Sequence, residues 1–357
     1  MKILLITNVY DSEVVGPARF ARLLHDSNNI KVDILTANSK NENVYSFDLR
    51  LSYLKSKFGM YFSIAEFQNQ LLKVEHNYDF LLFNNALLAY QLTTNIPYAV
   101  MVNDAKLIDN QVRWKFDYLR RSVYRIIENA VVHKSKKVIV NSPFLKQKIA
   151  EAYNKNENDI FVLLKGINLN NKLSPYAHWE LSMKKNVKIL FVKNDYKIGG
   201  LEYLIDALAL LADYSFELTI IGTDNSVRNI LKETKNIKYN ILGYQSNDIV
   251  IQNMYKHDIL SIPATVEPLG VAIMEGLAVG IPVVTTGTGG LPVVTNNGEN
   301  VWECYPKNAK SISQQIYFCL QNKNSRIEKS KKGKLYIHEN FDFAKVENRI
   351  IEIIDKV

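Results

Sequence analysis

The stretch DILSIPATVEPLGVAIMEGLAVGIPVVTT, residues 258–286, contains two short runs rich in β-branched residues with a longer apolar segment between them. DILSIP and PVVTT have the length and composition of strands that are buried on both faces, and the intervening segment has the length of a helix. A succession of strand, helix and strand predicts parallel strands covered by helices. We therefore expect an α/β protein.

The same alternation extends over most of the chain. Further strands are predicted at KILLIT from Lys2, KVDILT from Lys31, DFLLF from Asp79, YAVMV from Tyr98, KVIVNS from Lys137, VKILFV from Val187, FELTIIG from Phe216 and NIKYNI from Asn236. Two series of this kind predict two doubly wound, Rossmann-like domains facing a cleft, at residues 1–170 and 171–340. Residues 168–186 are polar and predict a linker, and 341–357 predict a helix packing back toward the N-terminal domain.

Length and composition agree with this organisation. A chain of 357 residues exceeds what one hydrophobic core usually supports. Its 47% hydrophobic and 22% charged residues are typical of soluble globular proteins. No apolar run approaches the roughly 18 to 20 residues that span a bilayer, and Met1 to Val9 is too short for a signal peptide. These features predict a cytoplasmic location.

Cysteine and histidine usage argues against a metal site. The two cysteines, Cys304 and Cys319, are too few for a disulfide framework or a metal cage. The six histidines show no spacing typical of metal ligands. We expect no metal and no cofactor.

The net charge of +8 is concentrated in one segment, because residues 113–148 alone carry +8. A helical pattern within it predicts an apolar face of Phe116, Leu119, Val123, Ile127 and Ala130, surrounded by Arg113, Arg120, Arg121 and Arg125. This basic helix is either an ordinary solvated face or a contact for an anionic membrane surface or acceptor. Nucleic acid is not expected as a partner, since no recognition module is present.

The segment around residue 270 carries the chemistry. Pro268 is placed at a predicted helix start, and Glu275 is the one charge in a helix that is otherwise apolar. A buried carboxylate requires a partner, so Glu275 is expected to hold a ligand. The free amides of Leu269, Gly270 and Val271 favour an anion. With Glu267 just before them, they suit a phosphate linked to vicinal hydroxyls, as in a nucleotide sugar.

These residues resemble family 4 of the retaining glycosyltransferases, whose two-domain fold is called GT-B. The hallmark is a glutamate pair seven residues apart, here Glu267 and Glu275, followed by MEGLAVGIPVV and GTGGLPVV. Other matching stretches are VIVNS from Val138, LKGIN from Leu164, LFVKNDY from Leu190 and IIG from Ile220. The resemblance covers nearly the whole chain.

The resemblance implies roles for individual residues. Glu275 would hold the donor ribose, the amides of residues 269–271 the diphosphate, and Glu267 the donor sugar. Gly16 would let a loop approach the phosphates, although a plain turn glycine explains it as well. Asp104 stands where many members carry a histidine or an acid near the sugar, and a turn acid is equally good. Groups near Gly243 and Tyr244 would recognise the base.

One departure from the family pattern concerns the cations. Aligning FVKNDYKIGG from Phe191 places Asn194 and Gly199 where members usually carry the Arg and Lys that neutralise the departing diphosphate. Lys193 and Lys197 lie close by and could reach the same oxygens, or they are simply solvated lysines. By the resemblance, Glu267, Asp104 and Lys197 are the catalytic candidates.

The resemblance thus implies a metal-independent, retaining glycosyltransferase. It would move sugar from a UDP-sugar or GDP-sugar to a glycan or lipid-linked acceptor of the cell envelope, at the inner face of the membrane. A non-catalytic, glycosyltransferase-like binding subunit is the alternative. A nucleotide-sugar epimerase is disfavoured by the glutamate pair, and a dehydrogenase by the lack of a G-x-G-x-x-G motif after the first strand.

Overall fold

The computed structural model describes residues 1–12, 16–49, 59–104, 117–167 and 186–355, with all side chains in these ranges except those of residues 59–63, 117 and 118. The chain divides into two compact units. Unit 1 comprises Met1–Lys165 with Ala344–Val357, and unit 2 comprises Gly166–Phe343. The domain limits drawn from the sequence at residues 170 and 340 stay predictions. Residues 168–185 of the predicted linker lie outside the described ranges.

Unit 1 is built on a parallel sheet of seven strands. In sequence order these are β1 (Lys2–Ile6), β2 (Lys31–Ala37), β3 (Tyr45–Phe47), β4 (Phe80–Phe83), β5 (Tyr98–Val102), β6 (Val138–Val140) and β7 (Ile160–Val162). Their spatial order is β3-β2-β1-β4-β5-β6-β7. Every residue of β4 and β6 is buried, which explains why both strands are continuously apolar.

The helices of unit 1 include α1 (Gly16–His25), α2 (Gly59–Val74), α3 (Asp117–Lys134) and α4 (Pro143–Tyr153). Helix α4 shows how the local sequence sets the boundaries. Ser142 caps its start by accepting a hydrogen bond from the Leu145 amide at 3.2 Å, and Pro143 takes the first position. Asn154 ends it in the left-handed conformation.

Unit 2 is built on a parallel sheet of six strands in the order β10-β9-β8-β11-β12-β13. The strands are β8 (Asn186–Val192), β9 (Ser215–Ile221), β10 (Ile237–Gly243), β11 (Ile259–Ile262), β12 (Val283–Thr286) and β13 (Trp302–Cys304). The helices are α5 (Leu201–Ala209), α6 (Asn247–Lys256), α7 (Val271–Val279), α8 (Leu291–Thr295), α9 (Ala309–Gln321) and α10 (Lys323–Asn340). Both units are therefore doubly wound parallel α/β sheets, which confirms the predicted fold class.

The last helix, α11 (Phe343–Asp355), belongs to unit 1 apart from its first residue. The ammonium group of Lys137 donates to the carbonyl oxygens of Ile353 and Ile354. The Asn29 amide donates to Glu347 Oε2 at 2.6 Å. In the described ranges of the chain, no helix is both long and apolar enough to span a membrane.

The predicted strands are confirmed, but three strands were not predicted. These are β3, β7 and β13, each three residues long. β3 and β7 form the two edges of the unit 1 sheet, and β13 forms one edge of the unit 2 sheet. An edge strand is covered less than a central one, so it needs no long apolar run and leaves a weak pattern in the sequence.

Candidate functional site

Helix α7 follows strand β11 at the carboxyl edge of the unit 2 sheet. The sequence predicted a start at Pro268, but the helix begins at Val271. Gly270 has a φ of +94°, which lies outside the range of a right-handed helix, so the helix cannot include this residue. The first hydrogen bond of the helix runs from the Met274 amide to the Gly270 carbonyl at 3.0 Å. The amides of Leu269, Gly270 and Val271 precede this bond, so they lie at the positive end of the helix dipole.

Glu275 is the buried acid of helix α7. Its side chain is 5% exposed, and every neighbour along the helix from Ile273 to Val279 is buried and, Gly276 apart, apolar. Oε1 accepts a hydrogen bond of 3.0 Å from Nδ2 of Asn247, the first residue of helix α6. This carboxylate thus has a polar partner within the protein, and the expectation that Glu275 holds a ligand stays a prediction.

Glu267 lies in the loop between β11 and α7, four residues before the helix. Its carbonyl oxygen accepts a hydrogen bond of 2.7 Å from the Gly290 amide. Gly289 has a φ of +64°, and a β-carbon there would overlap that same carbonyl oxygen. The loop after β12 therefore holds the Glu267 backbone in place, and only glycine at position 289 permits this contact.

The side chain of Glu267 forms an ion pair with Lys193, whose ammonium group contacts Oε2. Lys193 lies in the loop after β8, and this loop is tied to the Glu267 loop by a hydrogen bond of 2.8 Å from the Thr265 amide to the Ile198 carbonyl. Lys197 and Asn194 are exposed. Of the two lysines considered as phosphate ligands, the structure thus brings Lys193 to Glu267 and leaves the side chain of Lys197 at the surface.

The residues expected near the base follow strand β10. Gly243 is its last residue, with a φ of +68°, and its carbonyl oxygen accepts from the Gly222 amide at 2.7 Å. Tyr244 comes next and is 54% exposed, so its ring offers an open aromatic surface at this end of the strand. Gly243, Glu267 and the start of α7 all belong to the carboxyl edge of the unit 2 sheet.

Two predicted site residues lie at the carboxyl edge of the unit 1 sheet. Gly16 is the first residue of α1, and a β-carbon there would meet no described atom within 4 Å. Asp104 follows β5 and is half-buried. Asn84 is hydrogen-bonded to the residue after Gly16 and to the residue before Asp104. Its Nδ2 donates to the Pro17 carbonyl at 2.9 Å, and its backbone carbonyl oxygen accepts from Asn103 Nδ2 at 2.6 Å.

Buried ionisable groups accompany Asp104, and the sequence did not reveal them. The pKa of Glu128 is raised to about 7, mainly by burial and also by the negative charge of Asp104, while the hydrogen bond from the Tyr153 hydroxyl (2.6 Å) opposes this rise. Burial lowers the pKa of Lys165 to about 8, partly offset by Asp104. Glu128 lies on a helix with a basic composition, and Lys165 follows the unpredicted strand β7, so neither stood out in the sequence.

The basic helix α3 differs from its predicted arrangement. Leu119 and Ala130 were assigned to the apolar face, yet both are exposed, Leu119 at 59%, and Ile126 is 68% exposed. Ile127 is buried as predicted, and Glu128 and Val131 are buried beside it, with the Glu128 carboxylate accepting a hydrogen bond from the Tyr153 hydroxyl. Arg125 is exposed, whereas Arg120 and Arg121 are half-buried. Arg113 lies outside the described residues.

No cluster of three or more His, Cys, Asp or Glu side chains that could hold a metal ion occurs in the described part of the chain. The geometry instead offers backbone amides, two carboxylates and the Lys193 ammonium at the edge of unit 2. This set can bind an anion and accept hydrogen bonds from hydroxyl groups.

Comparison with known proteins places the fold in one class. Sucrose-phosphate synthase from Thermosynechococcus elongatus superposes with a TM-score of 0.80 at 17% identity, covering 99% of this chain and 98% of that one. Anabaena HepE, solved in complex with UDP and glucose, gives 0.76 at 16% identity over the whole of both chains. The chain therefore has the fold of the GT-B glycosyltransferases.

Within this fold, residues 178–336 match the family described as Glycosyl transferases group 1, so unit 2 carries a domain of that type. An uncharacterized glycosyltransferase of Methanocaldococcus jannaschii is 25% identical over 246 residues, which is 64% of this chain and 62% of the archaeal protein. The chain thus spans less than two thirds of that relative.

Proposed function

We propose that this protein is a retaining glycosyltransferase that takes a sugar from a nucleotide-diphosphate donor. The observation that carries the proposal is the entrance of helix α7, where Glu267 and Glu275 flank three leading amides in a group 1 glycosyltransferase domain. Unit 2 would bind the donor, and unit 1 would bind a glycan or lipid-linked acceptor used in cell-envelope polysaccharide synthesis.

The donor would bind through fixed dipoles and carboxylates. The amides of residues 269–271 face the diphosphate, Glu275 accepts from the ribose hydroxyls, and Glu267 accepts from the sugar. A helix N-terminus that is already in place stabilises the departing diphosphate without reorganisation, which is usually the largest single contribution to catalysis. These groups would serve in place of a metal ion.

Lys193 would supply the cation that Asn194 and Gly199 do not. Its ammonium group contacts Glu267, and its flexible stem would let it turn to a phosphate oxygen of the donor. Lys197 is the second candidate for this charge, and Asp104 would act on the sugar from unit 1.

Transfer with retention requires attack on the face from which the diphosphate leaves. The bond between the anomeric carbon and the phosphate oxygen breaks, the acceptor oxygen bonds to that carbon, and the hydroxyl proton passes to the released phosphate oxygen. No side chain becomes glycosylated in this step. Trapping a covalent glycosyl-enzyme on a side chain would contradict it, and the anomeric configuration of the product by NMR tests retention.

The donor class is proposed to be a UDP-sugar or a GDP-sugar. HepE, a structural neighbour, is described with UDP-glucose, which supports this class. The test is release of nucleoside diphosphate from a panel of UDP-sugars and GDP-sugars. We expect turnover with one base, and its loss in Glu267→Ala but not in Glu303→Ala, which removes an exposed glutamate from strand β13.

A non-catalytic subunit is the second candidate function, favoured by Asn194 and Gly199 at the usual positions of two cations. Such a subunit would bind nucleotide sugar without releasing its diphosphate. Tight binding with no turnover across the panel would support it, whereas turnover by the purified chain would exclude it.

We also propose a cytoplasmic protein held peripherally at the inner face of the membrane. The support is helix α3, where the exposed Arg125 adjoins the exposed side chain of Ile126 and Leu119 lies about two turns away. Basic and apolar side chains together are typical of helices that lie in a membrane interface.

A further inference from the structure

A row of asparagines crosses the carboxyl edge of the unit 1 sheet. Asn84, Asn103 and Asn141 directly follow β4, β5 and β6. Asn141 Nδ2 donates to the Asn103 carbonyl at 2.9 Å, and Asn103 Nδ2 donates to the Asn84 carbonyl at 2.6 Å. Because a backbone carbonyl can only accept, these bonds fix which end of each side-chain amide is the oxygen. The row ends at helix α1, where Asn84 Nδ2 donates to the Pro17 carbonyl at 2.9 Å.

The side-chain oxygens of two of these amides have no partner. Asn103 Oδ1 and Asn141 Oδ1 are both buried and accept no hydrogen bond from any described residue. Asn141 as a whole is only 6% exposed. A buried oxygen that lacks a donor is unfavourable, so both positions suit hydroxyl groups that a ligand supplies.

Lys165 brings a buried positive charge to the same edge. It follows β7 by three residues and is 6% exposed. Its ammonium group lies 5.2 Å from the centre of the Phe20 ring on helix α1, and within the described ranges it has no hydrogen-bond acceptor. Burial lowers the pKa of Lys165 to about 8, and the charge of Asp104 opposes this change. Lys165 is therefore close enough to the loop after β5 for the two charges to interact.

The surroundings of this ammonium group favour a phosphate as its ligand. The face of an aromatic ring stabilises a cation but supplies no oxygen to accept from its N–H groups. An ammonium group has three donors, and a phosphate monoester presents three free oxygens around one atom, so the two groups match. A planar carboxylate matches the fork of an arginine better.

We infer that the carboxyl edge of unit 1 binds a sugar phosphate, with the phosphate on Lys165 and sugar hydroxyls donating to Asn103 Oδ1 and Asn141 Oδ1. The inference rests on the proposed function, because it takes this ligand to be the acceptor and so names the acceptor class as phosphorylated sugars. Lys165 recognises the charge, and the two asparagines recognise hydroxyl groups. The phosphate monoester itself is not altered in the transfer.

The simpler role of Lys165 is to pack against Phe20. Lys165→Met separates the two roles, because it keeps a long unbranched side chain beside the ring and removes only the charge. Removing a buried charge that has no hydrogen-bond acceptor should not destabilise the fold. Lys31→Met is the matched control, because Lys31 is the exposed first residue of β2, at the opposite edge of the same sheet.

The first experiment is titration of the full chain with inorganic phosphate at pH 7, followed by the line width of the phosphorus NMR signal. Lys165→Met should weaken phosphate binding about tenfold or more, the usual effect of losing hydrogen bonds to a charged group. The affinity should be unchanged in Lys31→Met. The same loss on Lys165→Met is expected in a Lys193→Gln background, which weakens the phosphate site proposed for unit 2.

The second experiment tests the asparagine oxygens with glucose 6-phosphate. This probe should bind the wild type more tightly than inorganic phosphate does, because its hydroxyls reach the two unfilled oxygens. Asn141→Ala should remove the gain and leave the affinity for inorganic phosphate unchanged, whereas Asn158→Ala, at an exposed position before β7, should alter neither. Far-UV circular dichroism establishes folding. Lys165→Gln and Asn103→Ala carry the two tests if the first variants do not fold.

Each contrary outcome has a distinct meaning. The inference fails if the wild type binds no phosphate, if Lys165→Met keeps the full affinity, or if glucose 6-phosphate binds no more tightly than inorganic phosphate. Release of nucleoside diphosphate from nucleotide sugars tests the proposed function separately. Turnover together with any of these three results overturns the inference alone. Phosphate binding through Lys165 without turnover on any nucleotide sugar overturns the acceptor role together with the proposed function.

Discussion

The residues that follow the strands at the carboxyl edges of the two sheets differ in type. In unit 2, five strands end at a glycine with positive φ or lead into a loop that contains one, namely Gly200, Gly222, Gly243, Gly270 and Gly289. In unit 1, four strands are followed directly by asparagine, namely Asn38, Asn84, Asn103 and Asn141. All the positive-φ glycines of the described chain belong to unit 2.

This difference between glycine and asparagine indicates how each edge would contact a ligand. Glycine loops let backbone amides approach closely, which suits phosphate groups. The asparagines of unit 1 instead bond to neighbouring loops, as when Asn141 Nδ2 donates to the Asn103 carbonyl at 2.9 Å. Unit 1 also buries Glu128 and Lys165, so both edges carry ionisable side chains, and the positive-φ glycines are what distinguish unit 2.

The largest effect on stability is expected when a positive-φ glycine at the carboxyl edge of unit 2 is replaced by alanine. Gly289→Ala places a β-carbon on the Glu267 carbonyl oxygen at a φ of +64°. Strain and overlap together should lower the free energy of unfolding by about 4 kcal/mol, measured by urea denaturation. The variant should also lose nucleotide binding, because Glu267 moves.

Gly16→Ala provides the contrast from unit 1. A β-carbon there meets open space among the described residues, so the free energy of unfolding should change by less than about 1 kcal/mol. Equal losses in the two variants would remove the distinction between the edges.

The next effect concerns the buried acid of unit 1. The folded-state pKa of Glu128 is about 7, above its ordinary value of 4.5, so the folded state binds the proton more tightly. Stability is therefore lost as the pH rises from about 4.5 to 7. Glu128→Gln should remove this loss and be more stable than the wild type at pH 8 by up to about 3 kcal/mol, with a much smaller difference at pH 5.

Thermal or urea unfolding at the two pH values measures this trend. Glu151→Gln, at an exposed position of the same unit, reports any general effect of removing a negative charge. If Glu128→Gln and Glu151→Gln show the same pH dependence, the pKa of Glu128 is not raised by burial in unit 1.

A smaller effect separates two lysines of unit 2. Lys193→Gln should lower kcat/KM about 30-fold, equivalent to about 2 kcal/mol, because the ammonium group beside Glu267 no longer reaches the diphosphate. Lys197→Gln alters an exposed side chain and should change kcat/KM much less. The reverse order in a steady-state assay would assign the cation to Lys197.

The smallest effect is expected on the basic helix of unit 1. Arg125→Ala should weaken sedimentation with anionic vesicles about fivefold, since each basic residue contributes about 1 kcal/mol near acidic lipid. Binding to neutral vesicles should not change. Equal binding of the wild type to both kinds of vesicle at low salt would reject a membrane contact.

The sequence predicted unit 2 more fully than unit 1, for physical reasons. A charge in an apolar helix, such as Glu275, stands out because burial of a lone carboxylate is costly. The partner Asn247 lies 28 residues away and is joined to it only by the fold. The Lys193 contact with Glu267 spans 74 residues, and the pattern pointed to a phosphate instead.

In unit 1, the long central strands were predictable because both faces are buried, whereas the edge strands β3 and β7 were not. Helix α3 was placed correctly, but its predicted apolar face was wrong at Leu119 and Ala130. A prediction from the spacing of apolar residues places Leu119 on the buried face. In the structure the buried face includes the Glu128 carboxylate, which accepts a hydrogen bond from Tyr153. Polar contacts of this kind depend on tertiary structure and leave no periodic signal.

The claim on which the account depends is that the entrance of helix α7 binds a nucleoside diphosphate. A thermal-shift titration with UDP, GDP, ADP and CDP tests it most directly, because a ligand at 100 times its Kd stabilises the folded state by about 2.7 kcal/mol. We predict stabilisation by one of the four, lost in Glu275→Ala and kept in Glu303→Ala. Stabilisation by none of them, or full retention in Glu275→Ala, would contradict the account.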